Sequence, residues 1–160
     1  MDKVLSIRNN QQIFSLFNKI QNYQQSLNRT RIINDAIKKA LEERKKGTLN
    51  WRNIAAISFS LEDFDKRNSP EFIQLRVDLD DYNKIVEQIR VDFNLERNSP
   101  SSFVCKLILI YYLNFLELEN TLAAENLDFK KNKLELSEFK SLPSVDSKLD
   151  AIYELLSKLL

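Results

Sequence analysis

Four polar side chains recur at a spacing of two inside short apolar runs: Ser6 and Arg8 in VLSIR, and Gln74 and Arg76 in FIQLRVD. In an extended chain, residues two apart share a face. These four would form an outward row of hydrogen-bonding groups, with Leu5, Ile7, Ile73, Leu75 and Val77 on the opposite face. An Arg can grip the two acceptors of guanine, and a Gln can pair with the donor and acceptor of adenine. Each such bidentate contact discriminates by roughly 1–3 kcal/mol. Catalysis has less to work with. The chain has no His and a single Cys, so it offers neither a Ser–His couple nor a zinc site of the usual kind. One Gly in the whole chain leaves no Gly-rich phosphate loop. Asp78, Asp80 and Asp81 cluster, but at a predicted helix start, where carboxylates favour the helix dipole. The expectation is no enzyme, no metal, no cofactor and no small-molecule substrate.

The elements that must position these residues follow from periodicity. Lys3 to Arg8 alternates as a short strand. Ile13, Leu16, Phe17, Ile20 and Tyr23 recur in steps of three and four, which predicts a helix from Gln11 to about Gln25. Asn28 is a good N-cap for a second helix carrying Ile32, Ile33, Ala36, Ile37, Ala40 and Leu41, and Gly47 is its natural stop. The order repeats about 70 residues later. FIQLRVD is a strand, Leu79 to Leu95 has helical period, and an apolar helical run follows Arg97-Asn98-Ser99-Pro100 from Ser101 to Leu118. Residues 48–70 connect the two. Thr48 or Asn50 could cap a short helix around Trp51, and Ile57 to Ser60 could be helical or extended. Trp51 reads as a core plug sealing the two units together, with a stacking platform for a base as the alternative. Beyond Leu118 the helix continues or breaks and restarts, and residues 126–140 read as a solvated helix.

After Pro143, the residues Val145, Leu149, Ile152, Leu156 and Leu159 recur in steps of four and three, a heptad seam. Two heptads are marginal alone. The seam must pack on the chain's own body or on a partner chain, which makes these five the candidate oligomerisation residues.

Charge is unevenly spread. Residues 1–53 hold 11 Lys/Arg against 4 Asp/Glu, net +7, and residues 54–160 hold 13 against 19, net −6. Such asymmetry predicts one anion-facing end. Few Gly and Pro argue for long helices and against an all-β fold. The single Cys105 lies in an apolar helical run, which suits a reduced, cytoplasmic compartment. The chain starts without an apolar signal-peptide core, and no window of 18 uncharged apolar residues predicts a membrane span.

FIQLRVD followed by DDYNKIVEQI and SPSSFVCKLIL resembles the ribbon-helix-helix family, the class of the Arc and MetJ repressors. LNRTRIINDAIKKALEE is similar to that family's second helix. The resemblance covers residues 3–46 and 72–118. Two units in one chain resemble the tandem version found in some relaxosome accessory proteins of conjugative plasmids. It implies a two-stranded antiparallel ribbon whose outward residues, here Ser6, Arg8, Gln74 and Arg76, read bases in the major groove. Apart from the resemblance, the free N–H groups at the start of each second helix would meet phosphate, with Asn28, Arg29, Thr30 and Arg31 and with Ser101 and Ser102 adding donors there. The chain departs from the pattern at three places. Asn stands where Gly often precedes the second helix, Phe72 takes an outward position that is usually polar, and Pro100 removes one N–H from a helix start.

The expected fold is mainly α with a short two-stranded antiparallel ribbon: a first unit at 1–47, a connector at 48–70, a second unit at 71–120 and a C-terminal helical region at 121–160. Strand 3–8 pairs either with strand 72–77 of the same chain or with a second copy. The expected function is sequence-specific binding of double-stranded DNA by a homo-oligomer, as a transcriptional repressor or a plasmid transfer or maintenance factor. The rival is a helical protein-interaction adaptor without a DNA role, favoured by the near-neutral total charge.

Overall fold

Alternation of apolar and polar residues makes two strands, and they find each other within one chain. In a computed structural model, which describes residues 1–25, 28–139 and 157–158, β1 (Asp2–Arg8) pairs antiparallel with β2 (Phe72–Asp78). The register sets Val4 opposite Arg76, Leu5 opposite Leu75, Ser6 opposite Gln74, Ile7 opposite Ile73 and Arg8 opposite Phe72. Leu5, Ile7, Ile73, Leu75 and Val77 are buried, and the residues between them are exposed. Burying a branched side chain of this size contributes about 1.5–3 kcal/mol. A slip of one residue would turn the whole apolar row to solvent, so the core fixes the register.

Helices follow each strand. α1 (Gln11–Tyr23) and α2 (Arg29–Lys45) succeed β1, α3 (Trp51–Ala55) lies in the connection, and α4 (Leu79–Asp92) and α5 (Ser101–Phe139) succeed β2. The starts are capped by side chains that spare an orphan amide. Asn10 accepts from the Ile13 amide, Asn28 from Arg31, Asn50 from Arg52 and Asp78 from Asp81. Asn10 and Asp78 are 68 residues apart, as are the starts of α1 and α4. The starts of α2 and α5 are 72 apart, because α4 is one residue longer than α1 and the segment after it is three residues longer. Gly47 at φ 76° follows α2, and Asn94 at φ 53° follows α4, both in the left-handed region. Residues 57–60 form no helix or strand.

The chain divides into two compact units, Met1–Leu116 and Glu117–Leu160. The core of the first is built from the inward row of the ribbon and one face each of α1 to α4, with Val104 to Leu113 and Leu116 of α5. Trp51 is fully buried, as expected of a plug. Its ring meets Tyr111 edge-on at 6.0 Å, and its indole N–H donates to Gln88 at 3.0 Å. Ser101–Glu125 is long and apolar enough to cross a membrane by length and composition, which counting uncharged residues missed. Yet 56% of that window is buried inside the protein, as in the core helix of a folded unit. In the second unit α5 runs on unbroken to Phe139, with Leu118 and Leu122 exposed one turn apart. The seam of Val145, Leu149, Ile152, Leu156 and Leu159 lies outside the described residues.

Candidate nucleic-acid interface

The outward face of the ribbon gathers the four residues singled out from the sequence. Ser6 and Gln74 are direct partners across the strands, and Arg8 and Arg76 stand two residues beyond them toward opposite ends. All four are exposed. Two residues join them that a row of polar groups alone would omit. Val4 is 53% exposed opposite Arg76, and Phe72 is 49% exposed opposite Arg8. Alternation along each strand puts both in this row.

Arg8 is held lightly. Its guanidinium lies 5.6 Å from the Phe72 ring centre and 3.7 Å from the Glu71 carboxylate, with both charged side chains about 70% exposed. Exposed pairs of this kind contribute little, at most about 1 kcal/mol. Arg8 can therefore exchange Glu71 for another acceptor at small cost.

The backbone beneath is held more firmly. Asn34 of α2 donates through Nδ2 to the Arg76 carbonyl at 2.8 Å and to the Thr30 carbonyl at 2.8 Å. At the other end of the ribbon, Asn9 is buried. Its amide N–H donates to the Glu71 carbonyl at 2.8 Å, and its side chain donates to the Pro70 carbonyl at 3.1 Å. Neither Asn carries a sequence signal of this role, because the ribbon-end carbonyls of Arg76, Glu71 and Pro70 lie more than forty residues away.

The start of α2 opens beside β2. Asn28, Arg29 and Thr30 share a shallow groove with Gln21, Phe72, Ile73 and Gln74. Gln74 of the ribbon and the donors of the helix start thus meet on one surface. Asn28 Oδ1 is used in capping Arg31 at 2.8 Å, so Asn28 keeps only its amide NH2 for an outside acceptor. Arg29 packs 5.8 Å from the Phe17 ring centre, whereas Arg31 is exposed. The first-turn amides that Asn28 does not reach have no acceptor within the helix, and the positive end of the helix dipole lies behind them.

The start of α5 is different. Tyr82 is buried near it, and burial pushes its phenol up while the nearby Ser101 draws it part of the way back. Lys3 lies over the same ring at 5.8 Å. Ser101 and Ser102 are both partly buried there, unlike the exposed Arg31 of α2. Among the described residues no cluster of His, Cys, Asp and Glu could hold a metal ion. Cys105 is buried, and burial pushes its thiol up to about 12.

Comparison with protein-family models, with curated proteins and with solved structures gives no match for this chain.

Proposed function

We propose that this chain is a sequence-specific binder of double-stranded DNA of the ribbon-helix-helix kind, inserting its ribbon into the major groove. The observation that carries the reading is the exposed row of Ser6, Arg8, Gln74 and Arg76 on one face of a two-stranded ribbon. The major groove is about 12 Å wide and admits such a ribbon. Arg8 and Arg76 would grip guanines, and Gln74 an adenine. Arg31, Arg29 and the open amides of α2 would meet the phosphates. A repressor or a plasmid transfer or maintenance factor acts through such binding, and the proposal extends to that class. No catalytic step is part of it.

The half-exposed Val4 and Phe72 also favour a second reading, in which the ribbon docks a protein. Salt separates the two. Binding of the full chain to a labelled duplex of mixed sequence should fall steeply between 50 and 200 mM salt as counterions are released. A protein bound to no duplex at 50 mM salt would refute the DNA reading.

A further inference from the structure

The antiparallel register does more than expose the four polar residues. Centred on the Ser6–Gln74 pair, the two strands carry the same order of side-chain types: Val4, Ser6 and Arg8 on β1, and Phe72, Gln74 and Arg76 on β2. Because the strands run in opposite directions, each Arg lies across from the other strand's apolar residue. Each end of the ribbon therefore presents one guanidinium beside one exposed apolar group. At the Arg8 end the two are in contact, 5.6 Å from guanidinium to Phe72 ring centre.

That pairing has a chemical counterpart in DNA. Arg suits the O6 and N7 acceptors of guanine, and an apolar group suits the methyl of thymine. Side by side they suit a TG step, which reads CA on the complementary strand. The two ends are four residues apart along the ribbon, ~14 Å at about 3.4 Å per residue. That is about four base-pair steps at 3.4 Å each. The centre breaks the symmetry, because Ser6 faces Gln74 and only Gln pairs bidentately with adenine. The flanks break it too. The α2 start opens into the groove beside Phe72 and Gln74, and no residue of the α5 start lines that groove.

We infer that one chain carries a complete and oriented reading head. It takes an imperfect inverted repeat: two TG steps, one on each strand, with guanines about four base pairs apart around a centre of unequal halves. The inference rests on the DNA reading above. Pairing inside one chain is what permits it, since a ribbon shared by two identical chains would be symmetric and would favour a perfect palindrome.

The test is selection of bound duplexes from a random pool by the full chain, by Arg8→Ala and by Arg76→Ala. The mass of the complex on the selected core supplies the stoichiometry. Both variants change exposed side chains, so their folding is checked simply by circular dichroism. The expected core has TG and CA at its ends, an unequal centre and one chain per core. Arg8→Ala should lose preference at one guanine and Arg76→Ala at the other, each by about 5- to 150-fold. A perfectly palindromic core, or two chains per core, would overturn the oriented head while leaving DNA binding intact. Failure of the wild-type chain to retain any duplex at 50 mM salt would overturn the DNA reading itself.

Discussion

Ser6 lies directly opposite Gln74, two residues from one chain that are 68 positions apart in sequence. The pair marks the centre of the exposed ribbon face and shows that the ribbon closes without a second copy. Directly opposed residues in an antiparallel pair have Cα atoms about 4.5–5.5 Å apart, inside the range a disulfide spans. A Ser6→Cys/Gln74→Cys variant should therefore oxidise within the chain and run as a monomer on a non-reducing gel. A ladder of disulfide-linked dimers would mean that the strands pair between chains. Cys105 will not interfere, because it is buried and its thiol is pushed up to about 12.

How much of this was legible in the sequence differs element by element. Alternation in VLSIR and FIQLRVD placed Leu5, Ile7, Ile73, Leu75 and Val77 inward, because a period of two leaves no other assignment. Asn28 and the Asp78 region were recognisable as caps because capping acts within three residues. The pairing partner of β1 was not legible, since an intrachain and an interchain ribbon bury the same row. Nor was the path of the connection over α1. Glu62 accepts from Gln11 through its carbonyl and donates its amide to Ser15, and its carboxylate meets Asn18 and Lys19. Those contacts span more than forty residues and have no local pattern. Asn9 and Asn34 escaped for the same reason.

The stability of the first unit leans on a charged contact between α2 and α4. Arg44 donates to both Asp92 oxygens, at 2.6 and 2.7 Å, and Asp92 also accepts from the Trp51 amide at 2.9 Å. The Asp92 side chain is 8% exposed and that of Arg44 27%. Asp92→Ala should destabilise the protein by about 2 kcal/mol in urea unfolding, less than for a fully buried pair because Arg44 keeps contact with water. A loss near zero would show the contact to be dispensable.

The same carboxylate sets a pH dependence. Burial pushes the Asp92 carboxyl up, but the bonds from Arg44 and from the Trp51 amide outweigh it and hold it below its ordinary value. A group depressed in the folded state stabilises above its unfolded pKa of about 3.9, and that stability is lost as pH falls through the folded value. Wild type should lose stability below about pH 4, and Asp92→Asn should lose less over the same interval. Parallel pH profiles for the two proteins would remove Asp92 from the account.

Arg31 offers a test of the phosphate contacts apart from base reading. It is exposed beside the α2 start, and its backbone amide is already satisfied by Asn28. Arg31→Ala should weaken binding to all duplexes alike and reduce the slope of log affinity against log salt by about one. A change in sequence preference with an unaltered slope would instead place Arg31 at a base.

Arg8 and Arg76 would read guanines from the major groove, and methylation of guanine N7 reports on that edge alone. On a selected duplex, wild type should protect two guanines about four base pairs apart. Arg8→Ala should release one of them and Arg76→Ala the other. A bound wild-type complex in which guanine N7 is methylated as freely as in naked DNA would contradict the account.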